Sequence, residues 1–132
     1  METDSPHILV IDDNSEILVT LEIILKRKNY KVTLQERCDN FNEVVQTLQP
    51  DIILLDKSLG WADGTVLCQQ LKADTTLSKI PVIIFSAYYK KKEECLAAGA
   101  DDFIEKPFEM KSLLATLALH LGHSSEQKKQ GN

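Results

Sequence analysis

Five polar residues stand at the ends of four apolar runs, and together their types suit one chemistry. The run His7-Ile8-Leu9-Val10-Ile11 ends in Asp12-Asp13, and Ile52-Ile53-Leu54-Leu55 ends in Asp56. Pro81-Val82-Ile83-Ile84-Phe85 ends in Ser86, and Phe103-Ile104-Glu105 ends in Lys106-Pro107. Three carboxylates brought into one place repel one another: at ~5 Å and an effective dielectric of ~20, each pair costs roughly 3 kcal/mol. Such a group must bind a cation or keep a proton. Magnesium suits it, being a hard ion that takes carboxylates together with water and phosphate oxygens. No histidine or cysteine stands at these run ends, which argues against zinc.

A carboxylate can attack phosphorus to give an aspartyl phosphate. A metal on the acidic pair would screen the nucleophile's charge from the incoming group. The Lys106 ammonium can neutralise one phosphoryl oxygen, and the Ser86 hydroxyl can donate to another. Asp56 stands alone at the central position and is the expected nucleophile. A single Asp after a strand is commonly a helix cap or turn former. Five such groups at matching run ends are much harder to explain as capping.

To act together, these residues need elements that bring them to one edge. Strand and helix patterns alternate along the chain, which predicts βαβ units and a parallel sheet. Asn14 or Ser15 can cap a helix bearing Ile17, Leu18, Leu21, Ile24 and Leu25 on one face, closed by Asn29-Tyr30. Residues 31–35 alternate like a strand, and a short helix with Phe41, Val44, Val45 and Leu48 stops at Pro50. After the second apolar run, a loop containing Gly60 and Gly64 leads to a helix bearing Val66, Leu67 and Leu71. A polar stretch, Asp74 to Lys79, reaches the Pro81 run, and a helix from Glu93 to Ala98 ends at Gly99. The final helix, with Met110, Leu113, Leu114, Leu117 and Leu121 at helical spacing, is expected to end near Gly122. A polar tail should follow.

The runs at 8–11, 52–55 and 82–85 are continuously apolar, as strands covered on both faces must be. The strands near 31–35 and 102–105 are more polar and suit the edges. Right-handed crossovers then favour an α/β, flavodoxin-like, doubly wound (βα)5 fold with a five-stranded parallel sheet in the order 2-1-3-4-5. Its switch point lies between strands 1 and 3, where Asp12, Asp13 and Asp56 fall. Ligands of open α/β sheets bind at that place.

The chain of 132 residues is one domain's worth. It divides into a lead over 1–6, a domain over 7–121 and a polar tail over 122–132. A formal charge of −5 argues against a surface built for nucleic acid. No apolar run approaches the ~18 residues of a membrane helix. The first thirty residues do not read as a secretory signal. Cys38, Cys68 and Cys95 are odd in number and widely spaced, so buried or half-buried free thiols in a reducing cytosol are expected.

With these residues in place, the chain resembles the receiver domains of two-component response regulators, over residues 7 to about 121. The motifs are Val10-Ile11-Asp12-Asp13-Asn14, Asp51-Ile52-Ile53-Leu54-Leu55-Asp56, Ser86-Ala87, Lys106-Pro107-Phe108, and Ala97-Ala98-Gly99-Ala100-Asp101-Asp102-Phe103. The resemblance implies that Asp56 accepts a phosphoryl group from a sensor kinase's phosphohistidine. It implies magnesium on Asp13, Asp56 and the backbone carbonyl of Ser58, with Asp12 reaching the ion through water. Lys106, Ser86 and Ala87 would then surround the phosphoryl group, and the Lys106-Pro107 bond would be cis. Phosphorylation would draw Ser86 toward the phosphate and turn Phe103 inward, a two-state surface biased by a local charge event. For Phe103, ordinary core packing is an equally good reading.

One departure lies in the loop Lys57-Ser58-Leu59-Gly60-Trp61-Ala62-Asp63-Gly64. Many members of the family carry proline where this chain has Gly60, a change expected to loosen the loop without removing a chemical group. Trp61 is expected to be exposed there, as a partner contact or fluorescence reporter. Tyr88, two residues past Ser86, lies where the family tunes the access of hydrolytic water, and is expected to slow loss of the phosphoryl group.

The favoured reading is a stand-alone receiver that acts as a monomer or weak dimer in the cytoplasm. Its kinase or phosphotransfer partner would load it, and an effector protein would read the face formed by the last two helices and last strand. Lys90, Lys91 and Lys92 lie beside that face, either as part of it or as a solvated helix start. A magnesium-dependent phosphatase is the enzymatic alternative, but it would need an acid two residues after the nucleophile, and position 58 is Ser. A degenerate receiver that binds partners without phosphorylation fits poorly with an intact set of five groups.

Overall fold

The computed structural model of the protein describes residues 5–130, so most of the lead expected over 1–6 and the last two residues lie outside it. Five strands, β1 (His7–Ile11), β2 (Lys31–Gln35), β3 (Ile52–Asp56), β4 (Val82–Ser86) and β5 (Asp102–Glu105), form one sheet in the order β2-β1-β3-β4-β5. Every neighbouring pair in it is parallel. Five α-helices connect and flank the strands: α1 (Ser15–Arg27), α2 (Phe41–Leu48), α3 (Gly64–Ala73), α4 (Lys92–Ala97) and α5 (Met110–Gln130). The expected doubly wound architecture is the one present.

Successive strand residues point to opposite faces, so each apolar run supplies two cores at once. Leu9, Ile11, Ile53, Leu55, Val82 and Ile84 pack on Phe41 and Val45 of α2, Leu67 and Leu71 of α3, and Cys95 of α4. Ile8, Val10, Ile52, Leu54, Ile83 and Phe85 pack on Leu18, Leu21 and Leu25 of α1 and Leu113, Leu117 and Leu121 of α5. Three central strands covered on both faces explain why their sequences lack polar alternation. The edge strands keep Lys31 and Glu105 exposed.

Local signals set the helix ends. The Asn14 side chain accepts from the amides of Glu16 and Ile17 at the start of α1, and Asp63 accepts from Thr65 at the start of α3. Gln49 closes α2 in the left-handed region, at φ 49°, just before Pro50.

Three details differ from expectation. The β3–α3 loop contains a small antiparallel ladder, Ser58–Leu59 with Ala62–Asp63, which a two-residue strand pattern is too short to announce. Residues Tyr89–Lys91 form a 3-10 turn ahead of α4. The final helix does not end near Gly122 but continues to Gln130. One glycine costs a helix only ~1 kcal/mol relative to alanine, and Glu126, Gln127, Lys128, Lys129 and Gln130 are good helix formers without a proline among them.

Candidate functional site

Register brings the run ends together. Ile11 lies opposite Leu55, Asp56 opposite Phe85, and Ser86 opposite Glu105. Asp12, Asp56, Ser86 and Lys106 therefore meet along the carboxyl edge of four adjacent strands. Asp12 is 0% exposed, Asp56 5% and Ser86 2%, whereas Asp13 lies open to solvent.

Each carboxylate is held by named donors. Asp12 accepts from the Asn14 amide at 2.9 Å through one oxygen and from Lys106 Nζ at 3.1 Å through the other. Asp56 Oδ1 lies 3.3 Å from the same ammonium and accepts from the Ser58 amide at 3.4 Å. Asp13 Oδ2 accepts from the Gly60 amide at 2.8 Å. One oxygen from each of the three carboxylates lies within 4.8 Å of the others. Burial pushes the Asp56 pKa up to about 6; the Asp12 carboxylate pushes in the same direction, against the opposing pull of Lys106. That combination, hard oxygen donors carrying more negative charge than one lysine offsets, fits a divalent cation.

The Ser86 hydroxyl and the Lys106 ammonium complete the group. Ser86 Oγ accepts from the Tyr88 amide at 3.0 Å. The Lys106 amide donates to the Ser86 carbonyl at 2.7 Å, tying the ends of β4 and β5 together. Lys106 Nζ also sits 4.7 Å from the Phe85 ring centroid, which supports the ammonium from below. The Lys106-Pro107 peptide is cis, as expected. Ala87 is exposed next to Ser86, and with only a methyl group it can offer a ligand nothing but its backbone. Phe103 is buried, with its ring edge-on to Tyr89 at 6.2 Å.

The loop after Asp56 is where expectation fails. Trp61 is half-buried rather than exposed: its ring packs on the core and its indole N–H donates to the Glu36 carbonyl at 2.9 Å. The Arg37 guanidinium lies 5.6 Å from the ring centroid. The Gly60 amide in the same loop donates to Asp13. Sequence reading also missed Lys57, which is buried and paired with Asp63 at 3.0 Å and Glu94 at 3.5 Å. The available signal was a lysine directly after Asp56 at the end of an apolar run, with acids spaced to reach it only in the folded state. All three cysteines are buried free thiols, and burial raises Cys68 and Cys95 to about 11, so neither offers a ready thiolate. Among the described residues, no helix is long and apolar enough to cross a membrane.

Comparison with known proteins agrees with this fold. Residues 8–118 match the family model of the response regulator receiver domain. The chain is 36% identical over 114 residues to the DNA-binding dual master transcriptional regulator RpaA of Synechocystis, covering 83% of this chain and 46% of that protein. It spans about half the length of the curated relatives it matches. Among solved structures, the magnesium-bound receiver domain of the Pseudomonas aeruginosa sensor histidine kinase PA1611 superposes with a TM-score of 0.81 at 28% identity, covering 89% of this chain and 98% of that one. The BeF3-activated N-terminal receiver domain of Klebsiella pneumoniae RstA superposes with a TM-score of 0.80 at 29% identity, covering 87% and 97%.

Proposed function

This chain belongs to the response regulator receiver domain family, the signalling switches of two-component systems, and on that premise we propose that Asp56 is its phosphoacceptor. The observation that carries the proposal is the position of Asp56. It is buried at the centre of the sheet edge, with Lys106 Nζ 3.3 Å from its Oδ1 and two further carboxylates within reach.

In the proposed transfer, an Asp56 carboxylate oxygen forms a bond to phosphorus as the phosphorus–nitrogen bond of a partner's phosphohistidine breaks. The imidazole nitrogen keeps the electron pair and takes up a proton. Lys106 places its positive charge against one phosphoryl oxygen, and the Ser86 hydroxyl donates to another. The Ala87 amide would join them as a further donor to the phosphoryl group. Asp12, Asp13, Asp56 and the Ser58 carbonyl would hold Mg2+, which supplies charge neutralisation at the attacking and transferred oxygens. Magnesium in the active-site cleft of the PA1611 receiver supports this assignment. Movement of Ser86 toward the new phosphate would then be transmitted to Phe103 and to the face formed by α4, β5 and α5. That face is the proposed effector surface, with the domain itself taken as 7–121.

The module would act as a switch on its own Asp56, loaded by a sensor kinase or phosphotransfer protein. The relatives reach about twice this length, and the stand-alone reading has no support from them. The phosphatase alternative lacks its acid: Ser58 is exposed and reaches Asp56 through its amide.

The test is incubation with a small acyl phosphate and Mg2+, followed by intact mass. One added phosphoryl group, absent in Asp56→Asn, is the expected result. A mass unchanged in the wild-type protein with Mg2+ present would overturn the assignment.

A further inference from the structure

We propose that Lys57 and Glu94 form a detachable latch, by which the residue after Asp56 holds helix α4 while the site carries no phosphoryl group. The inference rests on the reading of Asp56 as phosphoacceptor and adds to it a control on the proposed output face.

Helix α4 spans six residues, and Cys95 is the one buried residue among them. An element with so few buried apolar contacts shifts at low cost. A polar contact therefore carries a large share of what keeps it in place. Glu94 supplies that contact, with its Oε2 3.5 Å from Lys57 Nζ.

The two ends of the pair are built differently. The Lys57 amide donates to the Phe85 carbonyl at 2.9 Å, and its carbonyl accepts from the Gly64 amide at 2.7 Å. Its side chain is buried, and its ammonium donates to Asp63 Oδ2 at 3.0 Å. Asp63 is held in turn through its other oxygen, which accepts from the amide and the hydroxyl of Thr65. This end is fixed. Glu94 is half-exposed, and its Oε1 already lies 3.6 Å from Lys91 Nζ. If α4 moves, Lys57 keeps Asp63 and Glu94 keeps Lys91. Neither step leaves a buried charge without a partner, which is the outcome that would make the pair hard to break.

A contact made in one arrangement and lost in another biases the equilibrium between them by its own free energy. For an ion pair open to solvent on one side, the bias is on the order of two- to fivefold. By reciprocity, the same factor enters the affinity of a ligand that favours the shifted arrangement.

Beryllofluoride, the activating group in the RstA receiver structure, serves as the probe. The full chain is titrated with it in the presence of Mg2+, and binding is followed by amide resonances. Glu94→Gln keeps the size of the side chain and removes its charge; it is expected to bind beryllofluoride about two- to fivefold more tightly than wild type. Before any ligand is added, its α4 amides should exchange with solvent faster than those of wild type. Glu93→Gln removes the same charge from the neighbouring exposed position and should match wild type in both measurements. An affinity of Glu94→Gln within about 1.5-fold of wild type would overturn the latch, as would an equal shift in Glu93→Gln. A wild-type protein that takes up no beryllofluoride would overturn the phosphoacceptor reading instead. The α4 exchange rates then decide the latch, and unchanged exchange in Glu94→Gln would overturn it.

Discussion

At Asp56, burial and the nearby Asp12 carboxylate lift the pKa from 3.8 to about 6, although Lys106 pulls the other way. The sign of the consequence follows from linkage. Below pH ~4 the side chain is protonated in both folded and unfolded states. As pH rises toward 6 the unfolded chain releases a proton that the folded chain keeps. Stability therefore falls across that window, and the penalty is complete above it. Asp56→Asn should be more stable than wild type at pH 7.5 by on the order of 2 kcal/mol, with little difference near pH 4. Urea denaturation at the two pH values checks this; an equal difference at both would count against it. Tyr88 offers a second residue-level test. Its side chain is 64% exposed, while its amide is anchored on Ser86 Oγ. Tyr88→Ala removes the ring and keeps the anchor, so the phosphorylated protein should lose its phosphoryl group faster. An unchanged decay, followed by intact mass, would remove Tyr88 from the control of water access.

Between elements, the tightest junction around the site lies where α3 begins beneath the end of β3. A Cβ on Gly64 would stand 2.3 Å from the Asp56 carbonyl oxygen and 3.0 Å from Lys57 Cα, both backbone atoms that cannot swing aside. Gly64→Ala is expected to cost about 1–3 kcal/mol through this overpacking and to lower the thermal midpoint. An unshifted midpoint would show that the helix start can slide. Lys57 joins the same region to α4. Burial alone would lower the pKa of its ammonium, but bonds to Asp63 and attraction to Asp63 and Glu94 outweigh it and hold the value above the ordinary one. The side chain next to Asp56 thus reaches both the start of α3 and α4, an arrangement that ties β3 to the proposed output face.

For the molecule as a whole, Leu121 is the last buried residue on α5 among the described residues, packed on the core shared by α1 and the sheet. Ending the chain after Gly122 keeps all of those contacts and should change stability by less than about 1 kcal/mol. Circular dichroism and urea midpoints of the shortened chain measure this, and loss of cooperative unfolding would place part of the core beyond 122. A cation that binds only the folded state stabilises it by mass action, by ~2.7 kcal/mol at a hundred times its dissociation constant. Mg2+ should therefore raise the urea midpoint at pH 7.5, and chelation should return it. The rise should shrink near pH 4, where Asp56 is protonated.

Much of this was legible in the amino-acid order, because the signals were local. Continuous apolar runs marked central strands, their polar ends marked the site, and the more polar segments at 31–35 and 102–105 marked the edges. With right-handed crossovers, those features leave few ways to order the sheet, so the sequence alone places Asp12, Asp56, Ser86 and Lys106 together. The details that escaped depend on contacts between distant segments. The bond from the Gly60 amide to Asp13 has no local signal because its partners are 47 positions apart. Trp61 read as exposed because its cover comes from Glu36, Arg37 and the core. Lys57 read as a loop lysine because Glu94 reaches it only after α4 has packed. Periodicity reports which face of an element is apolar; only the packed tertiary structure determines which loop atom meets which carboxylate.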